Sequence, residues 1–306
     1  ARLRLKRWQH FAVVTPRLFL GLAIVDAGFV RTSWCYAVDR GDGRLHEHRR
    51  LGPALDLRVA RELWRDHCHA RARGYFLQVD NRLDEGHHVL RVHIEARRGQ
   101  PAIHATLRAA HDLTRTDPLV VVLPVGDNRG QYTHKAPLPV SGWILVGEQR
   151  HEIDAEHSTA LIDAHGAHYP HHTWWCWATC AGRDARGRRV ALNLTRNVNR
   201  QDDTFNENGV WVDGRLHRLG PALFEFDREQ ILAPWRVRTR ALDDAAGAVD
   251  LMFEPAGERS ERVRLGRIRS AFHQPYGVFT GRIRVAGEEL DVPGLYGVCE
   301  DHDTYW

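Results

Sequence analysis

Apolar residues along the chain fall into short runs, and several runs alternate with polar positions. The clearest cover residues 18–25, 89–94, 119–123 and 142–146, and residues 282–285 alternate between arginine and an aliphatic side chain. Short runs and a period of two predict β-strands, because successive side chains of a strand point to opposite faces. The pattern therefore predicts an all-β chain of many short strands.

Turn signals that contain glycine separate these runs, at residues 40–43, 84–86, 126–128, 213–214 and 286–287. The sequence offers one modest helix candidate, residues 56–73, in which Leu57, Ala60, Leu63 and Trp64 share a helical face. No glycine-rich phosphate loop opens a helix, which argues against a nucleotide-binding α/β fold.

Three short sequence matches recur in the same order along the chain, which indicates a tandem duplication. The predicted halves are residues 1–155 and 156–306, and each would form an antiparallel barrel or sandwich. The matched pairs are residues 42–55 with 213–223, 134–146 with 273–285, and 173–175 with 304–306.

Composition and charge narrow the function classes. The 306 residues are 43% hydrophobic and 27% charged, which allows a sizeable core and excludes a disordered or collagen-like chain. The formal net charge is +4, and lysine occurs only at Lys6 and Lys135 among the 43 basic residues. The arginines are interleaved with acids and form no basic block, so we expect no nucleic-acid partner.

The five cysteines follow no zinc-ribbon or zinc-finger spacing: Cys35, Cys68, Cys176, Cys180 and Cys299. Scattered thiols fit a reducing compartment, so we expect a cytoplasmic protein with free cysteines. The most apolar early stretch, residues 18–30, is too short to span a bilayer and contains an aspartate. No signal peptide is visible, although a first residue other than methionine leaves a trimmed leader open.

Three segments carry a resemblance to a known family. They are residues 6–9 (Lys-Arg-Trp-Gln), residues 163–177 (with Asp-Ala-His-Gly and Thr-Trp-Trp-Cys-Trp) and residues 206–214 (Asn-Glu-Asn-Gly-Val-Trp-Val-Asp-Gly). On these motifs nearly the whole chain resembles a bacterial family described as domain of unknown function 2804. More distantly it resembles the double-calycin group, which includes hydroxyneurosporene synthase, a carotenoid hydratase, and tocopherol cyclase.

The resemblance implies two lipocalin-like, or calycin-like, β domains and hydrophobic, often isoprenoid, ligands. It implies no catalytic residue, because the family brings no established activity. Candidate residues therefore come from the sequence pattern alone.

The densest group of reactive side chains spans residues 163–172. On an extended strand Asp163 and His165 point to the same face, about 6.6 Å apart. A carboxylate beside an imidazole orients it and raises its basicity, which suits a general base. Alternatively, Asp163 accepts hydrogen bonds within a turn. Glu300 and His302 repeat the spacing, which a duplicated scaffold explains without chemistry.

The histidines of this segment also suggest a metal site. His165, His168, His171 and His172 supply enough donors for zinc. Their spacing matches no established zinc motif, and His171 and His172 would face opposite ways on a strand. We therefore expect no metal and no cofactor, and keep these four histidines as the alternative.

Tryptophans follow directly after the histidines. Trp174 shares a strand face with Cys176 and Cys180, whereas Trp175 and Trp177 take the other face. We expect one face to be core and the other to line a groove or a barrel interior that binds apolar rings. A purely structural role for the tryptophans is the commoner outcome.

Glu207 is a candidate proton-transfer partner of Asp163, because two carboxylates in unlike environments can divide acid and base roles. Asparagine and aspartate are also ordinary turn residues, so a structural role for this segment stays open. Four further residues complete the expected ligand contacts: Asn193, Asn208, Trp211 and Tyr132.

Lys135 is unusual in a chain that uses arginine for almost every cation. Only an amine can lose its proton near neutral pH or form a Schiff base. The counterpart of Lys135 in the second half is Gln274, so we expect the first half to carry the site. The alternative is a lysine that persists by chance.

Together these features predict a protein that binds a largely hydrophobic small molecule. If it is an enzyme, Asp163 and Glu207 would exchange protons with an unsaturated ligand, with Lys135 or His165 as polariser. The reaction would be hydration, dehydration, isomerisation or cyclisation. Two alternatives stay open, namely a non-catalytic lipocalin-like carrier and a protein that binds or cleaves carbohydrate.

Overall fold

Nearly the whole chain is β-strand. The structure is a computed structural model that describes residues 4–52, 54–126, 128–196, 203–240, 247–266 and 268–305. Within these ranges the chain forms two curled antiparallel sheets and no α-helix, which confirms the predicted fold class. No helix in the same ranges has the length and hydropathy that a membrane crossing requires.

The chain divides into two compact units. The first comprises Ala1–Pro118 and Thr133–Ala167, and the second comprises Leu119–Tyr132 and His168–Trp306. The halves inferred from the sequence repeats, 1–155 and 156–306, describe where the duplicated segments begin and end, not which residues group in space. They stay a prediction.

The first sheet has thirteen strands in the order β4-β3-β2-β1-β13-β11-β9-β8-β7-β6-β5, and β10 and β12 both pair with β11. A 3-10 turn at Leu83–Glu85 precedes β8. The strands are β1 Leu5–Val14, β2 Leu18–Asp26, β3 Arg31–Asp39, β4 Leu45–Leu51, β5 Asp56–Arg58, β6 Asp66–Ala72, β7 Tyr75–Arg82, β8 His87–Ile94, β9 Ile103–Ala110, β10 Leu119–Gly126, β11 Arg129–Val146, β12 Gln149–Ile153 and β13 Thr159–His168.

The second sheet has nine strands in the order β17-β16-β15-β14-β22-β21-β20-β19-β18. They are β14 His172–Arg183, β15 Arg189–Arg196, β16 Gly209–Val212, β17 Arg215–Arg218, β18 Ala222–Glu225, β19 Trp235–Thr239, β20 Ala248–Leu265, β21 Ile268–Val285 and β22 Glu288–Tyr305.

The two sheets share one chain plan. In each sheet, the first four strands of the repeat form one edge, and the first of them pairs with the last strand of the repeat. The other strands follow in reverse order of sequence. Strands β1, β13 and β11 of the first sheet therefore correspond to β14, β22 and β21 of the second. This correspondence supports the tandem duplication inferred from the sequence.

Each sheet buries an apolar core on one face. In the first, residues such as Phe11, Leu20 and Leu138 form one continuous cluster. In the second, Trp235 and Phe253 belong to the corresponding cluster. Because side chains alternate along a strand, the neighbours of these residues point to the opposite face of each sheet.

Two predicted turns explain the tight hairpins of the second sheet. Asp213 and Gly214 join β16 to β17 with φ values of 47° and 83°, and Ala286 and Gly287 join β21 to β22 with 50° and 77°. Two consecutive left-handed residues match the twist of the flanking strands in a type I′ turn, and glycine adopts that conformation without strain.

The helix predicted at residues 56–73 is wrong. This segment contains the short strands β5 and β6, and β6 pairs with β7 along its length. Cys68 and Ala70 enter the core in the alternation of a strand, while Trp64 is 58% exposed. Backbone pairing with a neighbouring strand outweighs a weak helical pattern, because propensity is only a small contribution.

Candidate functional site

The Asp163 cluster lies on the face of the first sheet opposite to the core. Ile162 and Ala164 on β13 belong to the core, so Asp163 and His165 point to the other face. Lys135 on β11 lies outside the core cluster as well, and all three polar side chains are buried. Burial of ionisable groups away from the core marks this face as a candidate site.

Three donors surround the Asp163 carboxylate. Lys135 Nζ lies 3.4 Å from Oδ1, and Thr133 Oγ1 donates to the same oxygen at 3.2 Å. Trp8 Nε1 donates to Oδ2 at 3.1 Å. The structure thus brings the predicted Asp163 and Lys135 together and adds Thr133 and Trp8. Sequence reasoning placed Trp8 in a family motif but assigned it no role.

The ionisation state of each group in the Asp163 cluster follows from its burial and its neighbours. Burial by itself would raise the pKa of Asp163, but the Lys135 ammonium, the imidazoles of His165 and His10 and the Trp8 hydrogen bond together lower it below its usual value. Burial lowers the pKa of His165 to about 3, against the attraction of Asp163. At neutral pH Asp163 is therefore ionised, and His165 is a neutral ring stacked on Trp8 with centroids 3.9 Å apart.

The second sheet carries a similar cluster at the corresponding strands. Trp175 Nε1 donates to Glu300 Oε1 at 2.7 Å, and Gln274 Nε2 donates to Oε2 at 2.8 Å. The ring of His302 lies 4.4 Å from that of Trp175, and burial lowers the pKa of His302 to about 3. The indole, the carboxylate and the imidazole are repeated, whereas the lysine is replaced by glutamine.

Glu207 lies in the second unit, just before β16. Gln131 Nε2 donates to its Oε2 at 3.2 Å, and Thr195 Oγ1 donates to its Oε1 at 3.0 Å. Asn193 joins the cluster, since its Nδ2 donates to the Glu207 carbonyl at 2.7 Å and its Oδ1 accepts from Trp177 Nε1 at 2.7 Å. Three predicted residues, Glu207, Asn193 and Trp177, thus form one hydrogen-bonded group.

The comparisons with known proteins agree with this architecture. The family model described as "Domain of unknown function (DUF2804)" matches residues 1–306. The chain belongs to the DUF2804 family. The resemblance drawn from the three motifs is thereby confirmed. A search of curated protein sequences gave no match for this family member.

Solved structures similar to this DUF2804 chain include the crystal structure of CghA, with a TM-score of 0.62, 11% identity and coverage of 98% of this chain and 88% of that one. CghA with Sch210972 gives a TM-score of 0.60 at 11% identity and the same coverage. Kievitone hydratase from Nectria haematococca gives 0.56 at 10% identity, covering 97% of this chain and 88% of that one. At these identities the likeness shows a shared fold and no more.

The remaining tryptophans and Tyr132 of the DUF2804 chain differ in exposure. Trp174 packs against the second core, with the Arg228 guanidinium 5.8 Å from its ring. Trp211 is buried, whereas Tyr132 is 41% exposed. The alternation predicted for β14 is present, because Trp175 and Trp177 point away from the core that Trp174 contacts.

Asn208 binds backbone rather than another side chain. Its Oδ1 accepts from the Thr195 amide at 2.7 Å, and its Nδ2 donates to the Gly220 carbonyl at 2.9 Å. These bonds hold the segment that carries Glu207 against β15. A role of Asn208 in ligand contact stays a prediction.

The four histidines that were kept as an alternative metal site occupy different surroundings. His172 Nε2 lies 2.9 Å from Asp303 Oδ1, and its ring stacks on Tyr305. His168 and His171 are exposed, and His165 stacks on Trp8. Over the described ranges, no three histidine, cysteine, aspartate or glutamate side chains meet in a group that could hold a metal ion. The five cysteines are free and buried.

A buried histidine chain crosses the interior of the first unit, and sequence reasoning missed it. His88 Nδ1 donates to Asn81 Oδ1 at 2.8 Å, His88 Nε2 accepts from His111 Nδ1 at 2.8 Å, and His134 Nε2 lies 3.4 Å from His111 Nε2. Gln9 completes the chain through Asn81. Asn81, His88 and His134 lie on three different strands and His111 follows β9, so no local motif could reveal them.

A cavity of about 780 Å³ opens at one end of the first unit. The turn at residues 96–101 forms one wall, and it is tied to β4 because His48 Nε2 donates to the Pro101 carbonyl at 2.7 Å. Leu18 and Ala37 contribute apolar surface, while Arg44, His46 and His151 are among the polar lining residues. None of the predicted site residues lines this cavity.

Proposed function

We propose that this protein binds a largely hydrophobic small molecule and catalyses cofactor-free acid–base chemistry on it, with the Asp163 cluster as the reactive centre. The reaction class is hydration, dehydration, isomerisation or cyclisation of an unsaturated ligand. The proposal rests on the buried ion pair between Asp163 and Lys135.

The ion pair is the strongest support for a reactive centre, because the fold does not require a charged pair at this position. At the corresponding position of the second sheet Gln274 satisfies Glu300 with a neutral amide. Burial of two charges is costly, and a neutral pair often serves the scaffold as well. The charge at Lys135 is therefore best explained by chemistry in the first unit.

We infer a distinct role for each group of the Asp163 cluster. Asp163 is ionised, so it suits a proton acceptor or a stabiliser of developing positive charge. The Lys135 ammonium can polarise a carbonyl or stabilise an enolate. Trp8 and the neutral ring of His165 offer an aromatic wall to an apolar ligand.

The fold comparisons support the proposal without defining the reaction. A hydratase, by its name, shares this fold, and so does CghA, for which a crystal structure with Sch210972 exists. Both similarities fit a scaffold that accommodates small molecules.

Native mass spectrometry of the freshly purified protein tests the binding part. We expect an excess of a few hundred daltons over the denatured mass, or an increase in the fluorescence of cis-parinaric acid when the protein is added. Absence of both signals would overturn the binding proposal, whereas an excess near 65 Da would point to zinc instead.

Isotope exchange tests the catalytic part. The compound extracted from the protein, or trans-chalcone if none is found, is incubated with enzyme in D₂O or H₂¹⁸O, and mass gain is followed. We expect Asp163→Asn and Lys135→Gln to lower the exchange rate by about 100-fold or more. The exposed Asp154→Asn serves as the matched control. Equal rates in wild type and both site variants would contradict the assignment.

One observation favours a second candidate, a non-catalytic carrier. The cavity of about 780 Å³ lies in the size range of small-molecule sites. None of the residues of the Asp163 cluster lines it. If a substitution at Ala37 abolishes ligand binding and Asp163→Asn leaves ligand binding unchanged, the result would support a carrier.

A further inference from the structure

Two carboxylates stand on either side of Trp177 in the second sheet. Trp177 on β14 lies directly opposite Glu300 on β22 and directly opposite Thr195 on β15. Opposed residues share a sheet face, so these three side chains form one row across three strands. Thr195 Oγ1 donates to Glu207 at 3.0 Å, which places the Glu207 carboxylate at the β15 end of the row.

The row has a defined width. Neighbouring strands are about 4.8 Å apart, so the Cα atoms of Glu300 and Thr195 are separated by roughly 10 Å. Trp177 lies between them in the row, and its side chain is on the face that points away from the apolar core. A flat apolar group resting on this indole would therefore have a carboxyl group on each side.

Both carboxylates accept hydrogen bonds from neutral side chains. Glu300 accepts from Trp175 and Gln274, and Glu207 accepts from Gln131 and Thr195. Both side chains are buried. Two buried carboxyl groups with different hydrogen-bond partners can divide the acid and base roles of a proton-transfer reaction.

A buried acceptor beside Glu207 points to a ligand. Gln131 is 1% exposed and uses its Nε2 to hold Glu207, yet its Oε1 has no hydrogen-bond donor among the described residues. A buried amide oxygen without a donor is costly, and a donor from a bound molecule would satisfy it. A ligand hydroxyl can donate there, and it is also a group on which a neighbouring acid–base pair can act.

We propose that Glu207 and Glu300 form a proton-transfer pair in the second unit that acts on an apolar ligand with a hydroxyl group, and that Gln131 Oε1 accepts the hydrogen bond of that hydroxyl. This inference adds a second site to the proposed function, and it rests on that function only for the apolar body of the ligand. It assigns Glu300 a role beyond the duplicated scaffold.

The chemistry balances without a cofactor. In the dehydration direction one carboxyl group gives its proton to the ligand hydroxyl, the C–O bond breaks with its electron pair on oxygen, and water leaves. The other carboxylate takes a proton from the adjacent carbon, and the electrons of that C–H bond form the double bond. Hydration is the reverse of these steps.

Matched probe pairs test the ligand class. Each pair is an alcohol and the alkene that it forms by loss of water: linalool with myrcene, α-terpineol with limonene, and 2-phenyl-2-propanol with α-methylstyrene. Calorimetry with the whole chain should show at least one alcohol bound about tenfold more tightly than its alkene. Gln131→Met should abolish this preference and leave the alkene affinity unchanged.

Oxygen exchange tests the acid–base pair. The preferred alcohol is incubated with enzyme in H₂¹⁸O, and its mass gain is measured across pH. Glu207→Gln and Glu300→Gln should each lower exchange by about 100-fold while the alcohol still binds, whereas Glu254→Gln, at an exposed position on β20, should behave as wild type.

Two outcomes would overturn the inference. One is that no alcohol of the set binds more tightly than its alkene. The other is exchange that is unchanged in both glutamate variants when circular dichroism shows them folded. If exchange depends on Asp163 but not on Glu207 or Glu300, the proposed function stands and this inference fails.

Discussion

Lys135 and Gln274 show how much one side chain changes an otherwise repeated cluster. Around them an indole, a carboxylate and an imidazole recur on corresponding strands. With lysine the carboxylate belongs to a buried ion pair, and with glutamine it accepts a neutral hydrogen bond. The duplication therefore provides an internal comparison between a charged and a neutral version of one scaffold.

We expect Lys135→Gln to be better tolerated than Lys135→Met. The amide can still donate to Asp163, so the loss in unfolding free energy should be about 1–2 kcal/mol. Methionine leaves the buried carboxylate without that donor, and the loss should be about 3–5 kcal/mol. Urea unfolding of both variants measures the difference, and equal losses would show that the amide does not replace the ammonium.

At the scale of the element, β22 is the strand on which the second unit depends, because it pairs with both β14 and β21. Gly297 on β22 lies opposite Cys180, and a Cβ there would lie 2.0 Å from the Thr179 carbonyl oxygen. The close approach of the two backbones, rather than an unusual φ, requires glycine at this position.

Gly297→Ala should therefore cost about 3 kcal/mol or more, because the clashing atom belongs to the backbone and cannot rotate away. Gly166→Ala on β13 is the matched control, since a Cβ there meets only the Arg7 side chain at 3.6 Å. The control should lie within about 1 kcal/mol of wild type. Thermal unfolding followed by circular dichroism compares them, and similar melting temperatures would contradict the close approach.

At the scale of the whole molecule, buried neutral histidines make stability depend on pH. Burial is the leading cause of each lowered pKa, and repulsion from neighbouring histidines adds to it for His88 and His111. The folded-state pKa values are about 3 for His88, 2 for His111, 4 for His134, 3 for His165 and 3 for His302.

Below about pH 6.5 the unfolded chain binds more protons than the folded one at these positions, so stability falls as the pH falls. Each histidine contributes about 1.4 kcal/mol per pH unit between its unfolded and folded pKa values. Five such groups would remove several kcal/mol by pH 5, which is comparable with a typical net stability. Above pH 7 they should have little effect.

Urea unfolding at pH 7, 6 and 5 measures this dependence. His134→Gln should reduce the slope by about one proton, or 1.4 kcal/mol per pH unit. The exposed His157→Gln serves as the control for replacing a histidine by glutamine. A free energy of unfolding that stays constant from pH 7 to pH 5 would contradict neutral buried histidines.

The sequence by itself determined the strand content, the tight turns and the family. Period-two patterns and Asp213-Gly214 act over a few residues, so local information suffices for them. The same local reasoning failed at residues 56–73, where pairing of β6 with β7 decided the outcome.

Only the tertiary structure decided which polar side chains meet. Asp163 with Lys135, Glu207 with Gln131, and the chain through His88 each join residues far apart in sequence. Strand order and register set these contacts, and they depend on the backbone pairing of the whole sheet. A single sequence can show that Lys135 is unusual, but the partner of its charge is fixed only when β11 and β13 lie side by side.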